Sequence, residues 1–296
     1  MSQETNSPFP WGKRTYIMGI INVTPDSFSG DGLMRRGEVV DAGLRQAEQF
    51  LQDGADILDI GGESTRPGAR PVRGSRELER VIPVIKAIKY AFPEALLSID
   101  TYKPGVAKKA LEAGAGWVND IWGLRADPKL AEVVAAFQVP VILMHNRAAP
   151  GYTKWKNQLG ARYVGSHYKN LINDIREELL NSVALAQKKG IPDELIILDP
   201  GIGFGKTIEQ NLELTDRLDE IKSLGYPLLV APSRKSFIGY TLNLPPDERI
   251  EGTAAAVALS IARGADIIRV HDVRQMVRVA RMTDAIVRRK KPDKIN

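Results

Sequence analysis

The architecture of this chain is indicated by one segment, Leu195-Ile196-Ile197-Leu198-Asp199-Pro200-Gly201-Ile202-Gly203-Phe204-Gly205-Lys206. Its first four residues are apolar, as in a strand buried on both faces of a parallel sheet. The run ends at the carboxylate of Asp199, and the Pro-Gly pair that follows prevents the strand from continuing. We therefore expect Asp199 at the carboxyl end of a core strand, where α/β proteins bind ligands.

The glycines of this segment do not match the spacing of a phosphate-binding loop. A P-loop ending at Gly205-Lys206-Thr207 would need its first glycine at Pro200, and a dinucleotide-binding motif would need its last glycine at Lys206. The glycines instead favour a tight backbone turn beside a flat ligand. The alternative is a plain strand-to-helix turn in which Asp199 caps the next helix.

Strand and helix patterns alternate along the whole chain, which is typical of parallel βα units. Strands are predicted at residues 16–22, 57–60, 96–100, 117–121, 139–145, 195–199, 227–231 and 267–271. Helices are predicted at 38–52, 76–90, from 104, from 128, at 164–189, 207–224, 252–263 and from 273, with a short irregular helix inside the long connection 233–249.

Eight such units over about 250 residues predict an α/β fold of the (β/α)8 TIM barrel type. We expect a single domain over residues 16–291, a flexible N-terminal arm at 1–15 and a frayed C-terminal tail at 292–296. A doubly wound open sheet is the structural alternative, because periodicity does not show whether a sheet closes.

Composition excludes several classes of protein. The 296 residues are 43% hydrophobic and 26% charged, and they contain no cysteine, which excludes disulfides and thiolate chemistry. Three scattered histidines do not predict a zinc site. The net charge of +5 derives from a basic C-terminal end, without a basic and aromatic face for nucleic acid. Without a signal peptide or a membrane-spanning run, we expect a cytoplasmic protein that binds neither nucleic acid nor membranes.

Polar residues follow nearly every predicted strand, and in a barrel they converge at one face. They are Asn22, Gly61-Gly62-Glu63-Ser64-Thr65-Arg66, Asp100, Asn119-Asp120, His145-Asn146, Asp199, Ser233-Arg234-Lys235 and Arg269-Val270-His271. Any one of them could be a helix cap or turn residue. Their recurrence at each strand favours a binding site.

The residue types predict two kinds of ligand group. Asp100, Asn119 and Asp199 suit a planar heterocycle with an amidine-like edge, since a carboxylate can accept two charge-assisted hydrogen bonds from it. Met144 and Phe204 are candidate apolar walls, with core packing as the favoured alternative for Met144. Residues suited to a phosphorylated group are Asn22, Ser64, Arg66, Arg269 and His271. The carbonyl oxygen of Asn22 would also suit a Mg²⁺ ion held mainly by substrate phosphates.

Two loops are expected to be mobile until a ligand orders them, because both are rich in Gly, Pro and Ser. They cover residues 24–32, which include Phe28, and 64–75, which include three arginines. Phe28 either faces a ligand or packs back into the barrel mouth.

With these motifs the chain resembles the dihydropteroate synthases, the pterin-binding barrel family of the folate pathway, over residues 17 to about 290. The matching stretches include Gly19-Ile20-Ile21-Asn22-Val23-Thr24-Pro25-Asp26-Ser27-Phe28, Gly61-Gly62-Glu63-Ser64-Thr65-Arg66-Pro67, Ser98-Ile99-Asp100-Thr101, Val118-Asn119-Asp120, Asp199-Pro200-Gly201-Ile202-Gly203-Phe204-Gly205-Lys206, Ser233-Arg234-Lys235-Ser236-Phe237 and Arg269-Val270-His271-Asp272. The chain departs from the family after His145, where Asn146-Arg147-Ala148 replaces a common Met-Gln-Gly run, so His145 receives no role.

The resemblance implies a homodimeric, Mg²⁺-dependent transferase with a (β/α)8 fold. It implies condensation of 6-hydroxymethyl-7,8-dihydropterin diphosphate with p-aminobenzoate, giving 7,8-dihydropteroate and pyrophosphate. Three catalytic residues are implied: Asp100, Asp199 and Lys235. The implied residues for the pterin diphosphate are Thr65, Asp100, Asn119, Asp199, Lys235, Arg269 and His271, with Asn22 at the metal. Phe28, Pro67 and Ser236 would shape the aminobenzoate pocket, and Ser64 and Arg66 would make loop contacts.

The implied reaction is an ionising displacement, in which the bond to the leaving diphosphate breaks before the amine attacks. One alternative is a pterin-dependent methyltransferase acting on a corrinoid protein, which would not need the Ser233-Arg234-Lys235 motif. Another is a catalytically inactive pterin-binding paralogue, which would be expected to lack some of these polar residues.

Overall fold

Eight short parallel strands form a ring at the centre of the fold. A computed structural model describes residues 9–24, 36–148, 153–156 and 158–289, and all bounds and counts of elements refer to those residues. The strands are β1 (Tyr16–Asn22), β2 (Ile57–Gly61), β3 (Leu97–Asp100), β4 (Trp117–Asp120), β5 (Val141–Met144), β6 (Thr153–Lys156), β7 (Gly160–Tyr163), β8 (Ile196–Asp199), β9 (Leu229–Val230) and β10 (Ile267–Val270). Strands β6 and β7 pair antiparallel as a hairpin outside the ring.

The sheet closes on itself. Its order is β8-β5-β4-β3-β2-β1-β10-β9, so neighbours in the ring follow one another along the chain once the hairpin is left aside. A parallel bridge between Leu198 and Leu228 joins the two end strands, and the N–H of Leu198 donates to the carbonyl of Pro227 at 2.9 Å. The predicted (β/α)8 barrel is therefore confirmed, and the doubly wound alternative is wrong.

Ten α-helices pack around the ring in the described residues. They are α1 (Arg36–Asp53), α2 (Gly74–Ala91), α3 (Pro104–Glu112), α4 (Lys129–Phe137), α5 (Leu171–Lys188), α6 (Ile208–Asp216), α7 (Leu218–Lys222), α8 (Ser236–Leu242), α9 (Ile250–Ala262) and α10 (Val273–Val287). Short 3-10 turns occur at Asp193–Leu195 and Pro246–Glu248. The long connection 233–249 thus contains the short helix predicted for it.

Alternation along the strands divides the core into two layers, because successive side chains of a strand point to opposite faces. One set packs between the ring and the helices, and the other fills the barrel. We call the second set the interior cluster; it consists of Tyr16, Met18, Ile57, Trp117, Ile142, Ile197, Leu229, Ala231 and Ile267.

Aromatic residues pack at the amino-terminal end of the barrel. The ring of Phe9 lies 4.4 Å from that of Tyr16 and 5.5 Å from that of Trp117, between centroids. Trp11 adds an edge contact to Tyr16. Residues 9–11 of the predicted N-terminal arm therefore contact the barrel, while residues 1–8 and the predicted tail at 292–296 lie outside the described residues. Because this end is filled, the carboxyl end of the barrel remains for a ligand.

Two helix predictions differ from the structure. The helix expected at 164–189 begins only at Leu171, where the side chain of Asn170 caps it by accepting from the N–H of Asn173 at 3.0 Å. The helix expected at 207–224 is divided at Arg217, whose backbone leaves the helical region and whose side chain pairs with acidic residues on both sides. The β6–β7 hairpin was not predicted.

Candidate active site

Strand alternation brings the strand-end polar residues into the barrel. Asn119, Asp199 and Arg269 each come two positions after an apolar residue of the interior cluster, so their side chains point the same way. Asp100 faces Gly61 across the β2–β3 pair at the same level of the ring. The four side chains therefore meet above the interior cluster.

A cavity of about 460 Å³ opens at this level. It is lined by every predicted site residue that the structure describes, namely Asn22, Ser64, Thr65, Arg66, Pro67, Asp100, Asn119, Asp199, Lys235, Ser236, Arg269 and His271. Phe28 lies outside the described residues. The predicted residues are thus neighbours in space, and their individual roles stay predictions.

A charged network forms the inner end of the cavity, where the strands terminate. Arg269 donates from Nε to Asp59 at 2.6 Å and from Nη2 to Asp100 at 2.7 Å. Asp59 is fully buried and also accepts from the amide nitrogen of Asn119 at 3.0 Å. That bond directs the amide oxygen of Asn119 away from Asp59, so the network orients both an arginine and an amide toward a ligand.

Asp59 was missed as a site residue by the sequence reasoning. The signal was present, since Asp59 interrupts the apolar run Ile57-Leu58-Asp59-Ile60 and shares the alternation of Ile57, which belongs to the interior cluster. A carboxylate inside an apolar strand requires a charged or hydrogen-bonding partner. Here the partners are Arg269 and Asn119.

Asp199 is held by the loop that follows it. Its carboxylate accepts from the N–H of Gly201 at 2.7 Å. Gly201 has φ of +70°, and a Cβ at this position would collide with the carbonyl oxygen of His145, so the turn requires glycine. Burial raises the pKa of Asp199, and the nearby charge of Lys235 opposes that rise.

Asp100 is likewise buried beside a basic side chain, that of Arg269. Burial raises its pKa, while Arg269 has the opposite effect. Hydrogen bonds donated by a ligand would therefore stabilise both carboxyl groups.

Lys235 lies at the start of α8 and points across the cavity. Its ammonium donates to the carbonyl of Ile202 and stands 4.7 Å from the ring centroid of Phe204. Burial lowers the pKa of Lys235 to about 8, with Asp199 acting in the other direction. Lys235 therefore connects the glycine-rich loop, Asp199 and the apolar wall predicted at Phe204, which does line the cavity.

His271 is a neutral side chain in this site. Burial, with the charges of Arg269 and Arg234, lowers its pKa to about 3. Its Nδ1 lies 3.1 Å from Oγ of Ser233, and that oxygen also accepts from the N–H of His271 at 3.2 Å. Ser233 therefore orients the imidazole ring of His271 through Nδ1, and that ring lines the cavity.

Four of the strand-end polar residues do not line the cavity, namely Glu63, Asp120, His145 and Asn146. His145 and Asp120 lie one position out of step with the interior cluster, so their side chains point outward. The Asp120 carboxylate accepts from the N–H of Trp122 and Leu124. Glu63 pairs with Lys103. The expectation that all strand-end residues converge was therefore too broad.

His145 instead belongs to a buried cluster below the glycine-rich loop. Its Nε2 lies 3.0 Å from Glu178, and its Nδ1 lies 3.1 Å from Nζ of Lys206. Lys206 also donates to the carbonyls of Gly201 and Phe204 at 2.9 and 3.1 Å. Burial lowers the pKa of His145 to about 4 and that of Lys206 to about 7. The cluster supports the loop that carries Asp199.

The hairpin supplies the second group of site residues that the sequence did not indicate. Leu159, Gly160, Ala161 and Tyr163 all line the cavity, and so does Arg249 from the connection before α9. The hairpin was missed because β6 and β7 have four residues each, too few to show a periodic pattern.

A family model for pterin-binding enzymes matches residues 18–271. The chain therefore belongs to the pterin-binding enzyme family, and the matched residues span the barrel and its polar carboxyl-terminal cavity.

Several proteins similar to this chain are dihydropteroate synthases. The one from Clostridium beijerinckii is 50% identical over 282 residues, covering 95% of this chain and 97% of that protein. The one from Bacillus subtilis is 47% identical, covering 95% and 92%. A crystal structure of the Clostridium difficile enzyme in the presence of pteroic acid has a TM-score of 0.86 and 47% identity, covering 95% of this chain and 100% of that one. The Xanthomonas albilineans enzyme in complex with 7,8-dihydropteroate gives 0.80 and 36%, covering 93% and 94%.

Two features are absent from the described residues. No helix there combines the length and the apolar character needed to cross a membrane. No group of three or more His, Asp or Glu side chains in those same residues could hold a metal ion.

Proposed function

We propose that the chain condenses 6-hydroxymethyl-7,8-dihydropterin diphosphate with p-aminobenzoate by an ionising displacement at the pterin methylene. It is a transferase of folate biosynthesis that forms 7,8-dihydropteroate and pyrophosphate. The observation that carries the proposal is the convergence of Asp100, Asn119, Asp199 and Lys235 with Arg269 on one cavity. Pteroic acid, 4-aminobenzoic acid and 7,8-dihydropteroate are the molecules present with the similar structures.

The pterin would bind at the inner end of the cavity. Asp199 and Asp100 would accept hydrogen bonds from the edge of the heterocycle, and the oriented amide of Asn119 would add a further contact. Such charge-assisted bonds contribute about 1.5–3 kcal/mol each. Lys235 would donate to the ring, and the guanidinium of Arg269 would stack on it.

The diphosphate would lie near Thr65, Arg269 and His271. A neutral histidine that carries its proton on Nε2 would donate a hydrogen bond to an anionic oxygen without a change of protonation. The carbonyl oxygen of Asn22, which lines the cavity, suits a Mg²⁺ ion that takes its other ligands from phosphate and water. The lack of a described acidic or histidine cluster fits an ion held in this way. When bound, the ion would neutralise charge on the leaving diphosphate.

The bond between the methylene carbon and the diphosphate oxygen would break first, with its electron pair departing on oxygen. Asp100 and Asp199 would stabilise the pterin cation electrostatically while Arg269 and His271 hold the departing pyrophosphate. The amine of aminobenzoate would then donate its lone pair to the methylene carbon and lose a proton to pyrophosphate or solvent. A neutral arylamine needs no strong base.

The aminobenzoate would lie toward the outer end of the cavity. Pro67 and Ser236 line the cavity, and Phe28, which lies outside the described residues, completes the predicted set. Ser64 and Arg66, also in the lining, would contact substrate from the loop after β2. Closure of these loops would exclude the water that could intercept the cation.

A homodimer forms the last part of the proposal. Leu259 on α9 and Met282 and Ile286 on α10 are exposed apolar residues on helices that pack side by side. A set of exposed apolar side chains on adjacent helices favours burial against a second copy.

The proposal is tested by measuring pyrophosphate and dihydropteroate formation, with each substrate and Mg²⁺ omitted in turn. We expect equimolar products only when both substrates and the ion are present. A methyltransferase would release no pyrophosphate. An inactive pterin-binding protein would bind the pterin diphosphate without turnover, and either result would contradict the proposal.

A further inference from the structure

The β6–β7 hairpin is attached to the barrel around the cavity. Tyr240 of α8 donates from its hydroxyl to the carbonyl of Gly160 at 3.2 Å. Arg249 is buried and donates to the carbonyl of Leu159 at 2.8 Å. The guanidinium of Arg162 lies 5.2 Å from the ring centroid of Tyr240. The hairpin is therefore held in place as one wall of the cavity.

Tyr163 makes the contacts that face the cavity. Its hydroxyl donates to the carbonyl of Thr65 at 3.0 Å, which links the hairpin to the loop after β2. Its ring lies 5.7 Å from that of Phe204, at an interplanar angle of 31°. Because the hydroxyl is engaged with the backbone, Tyr163 presents an oriented aromatic ring to the cavity.

The rings extend outward from the proposed pterin position. The ammonium of Lys235 stands over Phe204, and Phe204 contacts Tyr163. A ring bonded to the pterin methylene would therefore extend from Lys235 toward this aromatic pair and the hairpin backbone.

The side chains that the hairpin presents to the cavity indicate the shape of that ring. Leu159, Ala161 and Tyr163 line the cavity, and none of them is charged. An apolar, aromatic wall favours a planar acceptor ring such as an arylamine.

We propose that the β6–β7 hairpin forms the acceptor wall of the cavity and that Tyr163 determines which arylamines fit beside the pterin. The proposal deepens the proposed function and rests on it. The hydroxyl fixes the distance between the hairpin and the loop after β2, and the ring limits the width available to the acceptor.

The test uses steady-state kinetics of the full chain with three variants. Tyr163→Phe removes the bond to Thr65 and should raise KM for p-aminobenzoate about 2- to 10-fold. Tyr163→Ala also removes the ring and should raise it roughly 10- to 100-fold. The KM for the pterin diphosphate should stay unchanged in both. Tyr226→Phe is the matched control, because its hydroxyl bonds Asp193 at the amino-terminal end of the strands.

Acceptor selectivity provides a readout that a general loss of stability would not produce. Tyr163→Ala should favour a wider acceptor, an aminonaphthoate with its amine and carboxylate at opposite ends of one ring, because that acceptor gains the space of the missing side chain. Its kcat/KM should therefore rise relative to the value for p-aminobenzoate. An unchanged acceptor KM in both Tyr163 variants, or an equal rise in the pterin KM, would overturn the assignment alone. Absence of turnover in the unsubstituted chain would overturn the proposed function and the assignment together.

Discussion

Asp59 shows how one buried side chain organises the cavity without lining it. Its carboxylate holds Arg269 and Asn119, both of which face the proposed pterin position. Its second oxygen is buried and has no hydrogen-bond partner among the described residues. Burying an unpaired carboxylate oxygen costs free energy. Here the charge of the carboxylate balances that of the buried Arg269.

Replacing this carboxylate tests its positioning role. Asp59→Asn keeps the shape but removes the charge facing Arg269, so we expect a loss of about 3 kcal/mol in the free energy of unfolding. Pterin affinity should fall as well, because Arg269 and Asn119 lose their orientation. Urea denaturation and pterin titration measure the two effects.

Asp56→Asn serves as the control, since it removes a partner of Arg14 far from the cavity, before β2. It should leave pterin affinity unchanged. Native stability and native pterin affinity in Asp59→Asn would refute the role assigned to Asp59.

His145 predicts a pH dependence of stability. Burial, followed by the charge of Lys206, lowers its pKa to about 4, whereas the group titrates near 6.5 when unfolded. The unfolded chain therefore takes up a proton between these values that the folded chain does not. Stability should fall as the pH drops from 6.5 to 4, by up to about 3 kcal/mol from this residue.

Removing the titrating group should reduce that slope. We expect His145→Gln to show a weaker loss of stability between pH 6.5 and 4 than the unsubstituted chain, measured by urea denaturation at each pH. His167→Gln, at an exposed histidine, is the matched control and should keep the full slope. Identical slopes of stability against pH in all three proteins would disprove this account of His145. The Nε2 of His145 also contacts Glu178.

Among the elements, the glycine-rich loop after β8 joins the proposed pterin site to the buried cluster beneath it. Gly201, Gly203 and Gly205 all have positive φ, at +70°, +85° and +62°. A Cβ on Gly201 or Gly205 would meet backbone atoms of the segment after β5, and one on Gly203 would meet Lys235. The loop therefore packs too closely for larger residues.

Two glycine substitutions separate backbone strain from collision. Gly201→Ala combines positive φ with a clash against His145, so we expect it to cost about 3 kcal/mol or more and to abolish pterin binding. Gly190→Ala has a similar φ of +84° but open space around it, so it should cost only about 1 kcal/mol. Equal costs in thermal or urea unfolding would show that packing around Gly201 is unimportant.

The elements also show what the sequence could and could not predict. Repeated apolar runs ending in polar residues were enough to predict the barrel and the residues lining its cavity. The alternation of side chains along the strands places Asp59 among the residues that point into the barrel and places His145 among those that point out of it. The β6–β7 hairpin shows no periodic pattern in the sequence, because both strands are short. It is also held in place by contacts with residues distant in sequence, such as Thr65 and Arg249.

In the whole molecule, the two ends of the barrel have different roles. One end is filled by packed side chains, and the other carries the polar cavity. The aromatic cluster of Phe9, Trp11, Tyr16 and Trp117 packs at the amino-terminal end. The polar residues occupy the carboxyl end, as in barrel enzymes generally. Stability and ligand binding can thus respond separately to substitution.

The proposed homodimer yields a prediction at this scale. The chain should sediment as a dimer at micromolar concentration, and Ile286→Glu should shift it to a monomer, because a charge cannot be buried unpaired in an apolar interface. Tyr90→Glu, at an isolated exposed residue of α2, should leave the dimer intact. A monomeric unsubstituted chain, or a dimeric Ile286→Glu variant, would contradict the assignment of α10 to the interface.

The central claim is that carboxylates at the strand ends bind the pterin, and titration calorimetry with dihydropterin diphosphate tests it most directly. Asp199→Asn should weaken binding about 10- to 150-fold, as expected for the loss of a charge-assisted pair of hydrogen bonds. Asp193→Asn, in the 3-10 turn that precedes the same strand, should leave the Kd unchanged. Equal affinity in the unsubstituted chain and in Asp199→Asn would contradict the account.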